Sequence, residues 1–339
     1  MKKRKIVTML DIAEAAGVSV ATVSHVVNRT AKISAETTEK VETVMTQLGY
    51  KPRRSAELNH GNRTIGVFIP DISNEFYACV VQGIFEEAWK NDYAVVVCNI
   101  RHHHKAEASY IRSLLQNNIK GLIFCGGMAD DESYILNAMK HIPVVLCDRK
   151  LSTENVDSVG TDNITIMRQM IKKLARYGYK NIGYISEDPV MSNAYDRYLG
   201  FRLGMEENNL KIDPKWTLLL PELRLGKIER ANRLMIELLE KKEALPQVIL
   251  CSSDLIAIGV MAALREKGYG IPKDIGVIGF DNISQASYSS PPLTTVAQDM
   301  YQLGARSFKA LINRIENPKQ VPEEITLQGK IVIRDSVKL

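Results

Sequence analysis

The chain has 339 residues, 45% of them hydrophobic and 24% charged, with a formal net charge of +5. That is an ordinary globular composition, long enough for two or more domains with sizeable cores. The apolar runs stop at strand length, which argues against export or membrane insertion, and five cysteines without a CxxC pair predict reduced thiols, a cytoplasmic protein and no structural zinc site.

Residues 1–63 hold eleven Lys or Arg against six acids, so the whole positive excess lies in this head and the remainder is balanced. A basic head on a neutral body is the pattern of a module that grips a polyanion. Thr8 is placed to cap a helix in which Met9, Ile12, Ala13 and Ala16 recur at i, i+3, i+4 and i+7, with Asp11 suiting the first turn and Gly17 as the stop. Ser19 opens a second helix to about Val27, and Ser34 a third whose stripe is Val41, Val44, Met45 and Leu48, ended by Gly49.

A helix closed by glycine, a short turn and a second capped helix is the helix-turn-helix arrangement, whose second helix enters the major groove of DNA. In that helix Val18, Val23, Val26 and Val27 are placed for a core, leaving Val20, Ala21, Ser24 and His25 on the other side. His25 suits guanine N7 or O6, Val20 and Ala21 suit thymine methyl groups, and Ser19, Thr22 and Ser24 suit phosphates. Thr8 and Asn28 complete the candidate DNA-facing set on the helices. The connector 51–63 follows, polar and basic, with Arg53 and Arg54 as candidate phosphate contacts and Ala56 and Leu58 as its apolar residues.

"TMLDIAEAAGVSVATVSHVVN" followed by "KISAETTEKVETVMTQLGYKP" closely resembles the DNA-binding head of the lactose repressor/galactose repressor family. The resemblance implies that Val20, Ala21 and His25 read bases. It also implies that the connector is a hinge helix formed on the operator, inserting a leucine into the minor groove. Leu58 is the candidate wedge, one place earlier relative to Tyr50 and Pro52 than the family pattern puts it.

From Thr64 the chain alternates apolar β-type runs with amphipathic helices: "TIGVFI", "YAVVVC", "GLIFC" and "PVVLC", then "NIGYIS", "WTLLL", "QVILC" and "IGVIGF". Such runs predict parallel sheets covered on both faces, and two sets predict two similar lobes. Ligands in such sheets bind beyond the carboxyl ends of strands, where Pro70–Asn74, Asn99–His104, Asp148–Arg149, Ser253–Asp254 and Asp281–Asn282 lie. No GxGxxG follows a strand and no GxxxxGK[ST] occurs, so no nucleotide cofactor is signalled. "RHHHK" at 101–105 reads as a solvated loop at the cleft edge, because three consecutive histidines cannot all face one ion.

The body, through "GVFIPDISNEFYACVVQGI", "RYLGF", "CSSDLIAIGVMAAL", "VIGFDN", "SPPLTTVAQDMYQLGARS" and "IVIRDS", resembles the same family's periplasmic-sugar-binding-protein-like portion. The resemblance implies that Arg197 grips an effector and Asp281 binds its hydroxyls. Asp148, Ser253 and Gln298 match further cleft positions, with Phe76 near the mouth. Ser253 stands where the family often has asparagine, and "PELRLGKIERAN" offers no aromatic where several members put a ring over a sugar.

The expected fold is α/β: a three-helix head at 1–50, a hinge at 51–63 and a two-lobed body at 64–339. Its first lobe is expected at about 64–160 and 293–320, its second at about 161–292 and 321–339. The expected function is a homodimeric transcriptional regulator, a repressor, that binds double-stranded operator DNA under the control of a sugar or sugar-derivative effector. No metal, cofactor, catalytic residue or membrane partner is expected; an enzyme or a solute-binding protein using the same cleft is the alternative.

Overall fold

The computed structural model describes residues 7–28, 31–50, 63–100, 104–126, 132–151, 156–241 and 244–339, and the chain divides into two compact units after Asn62. The first unit holds α1 (Met9–Ala16), α2 (Val20–Asn28) and α3 (Ala35–Gln47). A capping box starts α1: the Thr8 backbone N–H donates to Asp11 Oδ2 at 2.8 Å, and the Asp11 N–H reaches back to Thr8 Oγ1. Gly17, at φ +61°, closes it in a left-handed turn, and α2 leaves at 109° to α1. Ile12, Ala13, Ala16, Val23 and Val41 form the buried core, with Val18, Val26, Val27, Val44 and Met45 packed around it.

Leu48, expected in that stripe, is 39% exposed. The reason is the end of α3, where Gly49 takes φ +65° and the Tyr50 N–H donates to Met45 O at 2.9 Å. This turn brings the Tyr50 ring back onto the core in place of the leucine.

The second unit begins with β1 (Thr64–Ile69), α4 (Glu75–Lys90), β2 (Ala94–Asn99), α5 (His104–Gln116), β3 (Gly121–Cys125), α6 (Ser133–Met139), β4 (Val144–Cys147) and β5 (Ser158–Thr161). It continues through α7 (Asn163–Arg176), β6 (Ile182–Ser186), α8 (Ser192–Glu207), β7 (Thr217–Leu219), a single 3-10 turn at Pro221–Arg224, α9 (Lys227–Glu240), β8 (Val248–Cys251) and α10 (Asp254–Glu266). β9 (Gly276–Asp281), α11 (Ser284–Tyr288), β10 (Thr294–Ala297), α12 (Met300–Glu316), β11 (Glu324–Leu327) and β12 (Lys330–Val332) complete it. Among the described residues these strands form two sheets, ordered β11-β5-β4-β3-β1-β2 and β12-β10-β9-β8-β6-β7. Neighbours run parallel except β10 with β12. Four of the strand-region cysteines (Cys98, Cys125, Cys147, Cys251) are buried and, with Cys79, all are free thiols.

The expected lobe boundaries need correction. β10 lies in the stretch assigned to the first lobe, yet it pairs with β9 in the second sheet; β11 lies in the stretch assigned to the second, yet it pairs with β5 in the first. A four-residue strand carries no local mark of which open edge it will join. β5 and α7 were absent from the expected alternation because "SVGT" is short and half polar. His104 and Lys105 begin α5 rather than sitting in a loop, while residues 101–103 lie outside those described. No single helix among the described residues is long and apolar enough to cross a membrane.

The first lobe's outer layer depends on two glycines. α4 and α12 cross so closely that a Cβ on Gly304 would lie 1.9 Å from Val80 O, and one on Gly83 would lie 2.1 Å from Tyr301 O. Gly304→Ala is expected to destabilise the protein by roughly 1–3 kcal/mol through forced separation of the helices. Gly160→Ala, with nothing within 4 Å of the added carbon, is the control. Equal thermal and denaturant midpoints for the two variants would show that the helices have room to part.

Candidate functional site

Two features of the chain are built to meet other molecules. The first is the outer face of α2. Val23 is wholly buried on the inner side, while Val20 is 42% exposed, Ala21 is exposed, and Ser24 and His25 are half-buried. Residues at 100° intervals place Ala21 and His25 opposite Val23, with Ser24 about 100° and Val20 about 60° from it on the same arc of the helix. Ser19 Oγ accepts the Thr22 N–H at 3.0 Å and lies 2.8 Å from Thr22 Oγ1. Thr8 Oγ1 donates to Asp11 Oδ2 at 2.6 Å, so these hydroxyls are already engaged in caps. Asn28 ends α2, its side chain undescribed, and Arg53, Arg54, Ala56 and Leu58 lie outside the described residues.

The second is a cavity of about 280 Å³ between the lobes of the body. Its wall comes from the segment after β1 and the start of α4 (Asp71, Ser73, Asn74, Glu75, Tyr77), from Gly126, and from Glu187, Asn193, Arg224, Lys227, Glu229 and Gln285 of the second lobe. Met191, Leu225, Ile228, Leu255 and Ile283 supply its apolar surface.

Behind this wall lies a layer of buried charge. The Arg197 guanidinium, from α8, stacks 4.0 Å from the Phe280 ring centroid, donates from Nε to Asn163 Oδ1 at 3.0 Å, and donates from Nη1 to Ser252 O at 2.8 Å. Asp281 lies 3.8 Å and Asp148 3.9 Å from its nitrogens. Asp281 Oδ1 also accepts from Gln298 Nε2 at 2.8 Å, and Asp148 Oδ2 accepts from Asn193 Nδ2 at 2.7 Å. Asp148 follows the end of β4 and Asp281 is the last residue of β9, both with positive φ, +53° and +116°, a strained geometry that clusters at functional sites. Asp148 Oδ1 and Gln298 Oε1 are buried without a partner among the described residues.

Burial shapes the ionisation of this layer. Asp148 is pushed up by burial, against the opposing pull of Arg197 and Asn193. Asp281 is pushed up by burial from its ordinary 3.8 to about 6, again with Arg197 opposing. Arg197 itself is lowered by burial, but Asp281 and Asp148 outweigh this and hold it above its ordinary value. Glu187 is raised by burial and then brought below its ordinary value by Lys227, whose Nζ donates to Oε1 at 3.0 Å.

The structure brings Asp148, Arg197, Asp281 and Gln298 together in the layer beneath the cavity. Ser253 lies in the same lobe but spends its hydroxyl on the start of α10, accepting the Ile256 N–H at 3.4 Å. Phe76, expected near the mouth, is in the first lobe's core, and the next residue, Tyr77, faces the cavity instead, because the Asn74 cap sets the phase of α4. Burial pushes the Tyr77 hydroxyl well up, helped by Asp148, Glu187 and Asp281. Glu187 directly follows β6, so the strand-end rule that selected Asp148 and Asp281 applies to it equally. Asn193 and Lys227 sit on helices and carry no such mark.

Comparison with known proteins bears on both features. The model described as bacterial regulatory proteins, lacI family, matches residues 8–53, and that of a periplasmic binding protein-like domain matches residues 171–337. The chain is 32% identical to the HTH-type transcriptional repressor PurR of Vibrio cholerae serotype O1, and 30% identical to that of Pasteurella multocida, each over 98% of both chains. Among solved structures it is similar to the lac repressor dimer bound to operator and the anti-inducer ONPF, with a TM-score of 0.73 and 26% identity over 98% of this chain and 99% of that one. A LacI family transcriptional regulator from Enterococcus faecium with bound ribose gives a TM-score of 0.70 and 28% identity over 81% of this chain and 98% of that one.

The raised Asp281 carboxyl has a pH signature. A carboxylic acid whose folded pKa lies above its unfolded value stabilises the fold when protonated, and that contribution is lost as pH rises through about 6. Asp281→Asn keeps the shape and removes the charge. It is expected to melt higher than the wild type at about pH 7.5 and to lose that advantage by about pH 4. A difference in melting temperature that does not change with pH would show that Asp281 titrates as an exposed group does.

Proposed function

The chain belongs to the lacI family of bacterial regulatory proteins, as a DNA-binding transcriptional repressor, and on that premise we propose how its parts work. Two copies present paired α2 helices to the two halves of a symmetric operator in the cytoplasm. A polyhydroxylated small molecule, a sugar or sugar derivative, binds between the lobes and changes the separation of the two heads. The observation that carries this reading is the split character of α2, with Val23 sealed in the core, the small side chains of Val20 and Ala21 exposed, and Ser24 and His25 half-buried beside them. Small side chains let a helix backbone approach base edges, and a single head covers only a half-site.

The roles follow from chemistry. Val20 and Ala21 meet thymine methyl groups and His25 meets guanine. Ser24 and the first-turn N–H groups of α2 meet phosphates, with Ser19 and Thr22 holding that turn in shape. Thr8 and Asn28 flank this contact, Arg53 and Arg54 add phosphate contacts from the connector, and Leu58, beside Ala56, is the minor-groove wedge. In the cleft, hydroxyls reach the wall of Tyr77, Asn193 and Gln285 and the layer of Asp148, Arg197, Asp281 and Gln298 beneath it, with Ser253 and Phe76 supporting from behind. Carboxylates and a guanidinium pair well with vicinal hydroxyls. The cleft binds its ligand and does not turn it over.

Dimerisation has a surface to use. On α4, Phe85 is 44% and Trp89 80% exposed one turn apart, and edge strand β2 exposes Val96 at 40%. Uncovered aromatics beside an open strand edge mark an interface between chains.

Selecting bound fragments from random duplex DNA tests the central reading, which requires a two-fold symmetric consensus; absence of any preference would overturn it. His25→Ala is expected to relax the selection at one base position per half-site, with a loss of about 1–3 kcal/mol in discrimination there. An unchanged consensus would remove His25 from readout. Trp89→Glu is expected to sediment as a monomer and to lose operator affinity without loss of helical signal; a persistent dimer would place the interface elsewhere.

A further inference from the structure

The charges on the cavity wall are unbalanced. Among the described residues, Asp71, Glu75, Glu187 and Glu229 share this wall with two cations, Arg224 and Lys227. Both cations are committed. Lys227 Nζ donates to Glu187 Oε1 at 3.0 Å, while Ser252 Oγ donates to the other Glu187 oxygen at 2.9 Å. Arg224 grips Asp188 with two nitrogens, Nε to Oδ1 at 2.6 Å and Nη2 to Oδ2. The side chains of these two pairs are only 15–18% exposed. Turning either cation toward a ligand would strand a largely buried carboxylate, the costly way to break such a pair.

Of the remaining acids, Glu75 and Asp71 accept hydrogen bonds but have no counter-charge among the described residues. Glu75 accepts from the Ser284 N–H and hydroxyl at 2.8 and 2.6 Å. Asp71 Oδ1 accepts from the Ser73 N–H and hydroxyl at 2.9 and 2.7 Å. Neither Asp71 nor Glu229 has a cation within ion-pair distance among the described residues. Beneath the wall, Arg197 is already shared by Asp148 and Asp281, whose layer adds further negative charge and the unpartnered, buried Asp148 Oδ1.

A wall of this kind offers acceptors and a negative field. A phosphate or carboxylate brings only acceptors and negative charge, whereas hydroxyl and amine groups bring donors. Resting on the reading of this cavity as the effector site, we propose that it selects against anions and takes a polyhydroxylated effector without phosphate or carboxylate, with Asp71 and Glu229 as the filtering positions. The filter separates a free sugar or amino sugar from its phosphorylated metabolic product, so the protein responds to the former.

The test melts the full-length protein in a protein-free, low-molecular-weight metabolite extract split on an anion-exchange resin at neutral pH, with glucose 6-phosphate and inorganic phosphate as defined anions. The unretained fraction is expected to raise the melting temperature, and the retained fraction and both defined anions to leave it unmoved. Stabilisation of the wild type by the retained fraction or by glucose 6-phosphate, with none from the unretained fraction, would overturn the inference. In the double variant Asp71→Asn, Glu229→Gln, the preference for the unretained fraction is expected to shrink; an unchanged preference would overturn the assignment of the filter to these two residues. If neither the whole extract nor any fraction stabilises the wild type, the effector reading itself fails and this inference falls with it.

Discussion

The cleft of the body is organised around the buried guanidinium of Arg197. Arg197 is held by an aromatic face, an amide and a backbone carbonyl, and it stands between Asp148 of the first lobe and Asp281 of the second. A guanidinium removed from water is tolerable only with such compensation, and each aspartate would be costly without it. The cleft floor is therefore a single electrostatic unit to which both lobes contribute, and a movement of one lobe changes the surroundings of all three charges.

That arrangement gives the fold a means of coupling. The chain passes between the lobes after β5, after β10 and between β11 and β12, so three short connections absorb any change in lobe angle. On the cleft side the lobes are tied by polar contacts: Asn193 with Asp148, the Lys150 N–H with Ser192 Oγ at 2.8 Å, and Glu75 with Ser284. Hydrogen bonds at a cleft mouth are individually weak and exchange readily with those of a ligand. A molecule that satisfies the unpartnered Asp148 Oδ1 and Gln298 Oε1 favours the lobe arrangement that presents them, and differential affinity of that kind is what shifts a two-state equilibrium.

The head was legible almost residue by residue, because its signals are local. Thr8, Gly17, Ser19 and Ser34 act within one turn of helix, and α1, α2 and α3 begin where those caps stand. The exception, Leu48, failed because the same local device that ends α3 also returns Tyr50 to the core. In the body the alternation of strands and helices was legible, while the sheet to which β10 and β11 belong was not, since pairing is a contact between residues far apart in the chain. The cleft divides in the same way. Asp148 and Asp281 lie at the carboxyl ends of strands and announce themselves, whereas Asn193, Lys227 and Tyr77 reach the cavity only through the phase of a helix and the approach of the other lobe.

The sequence by itself determined a basic three-helix head, an α/β body of two similar halves, and the residue types available to bind DNA and a small molecule, because caps, periodicity and composition act over a few neighbouring residues. Only the tertiary structure decided which carboxylates share Arg197, which cations are already spent on Glu187 and Asp188, and which side chains face the cavity. Those outcomes depend on distances across two lobes and on burial, and neither exists until the chain has folded.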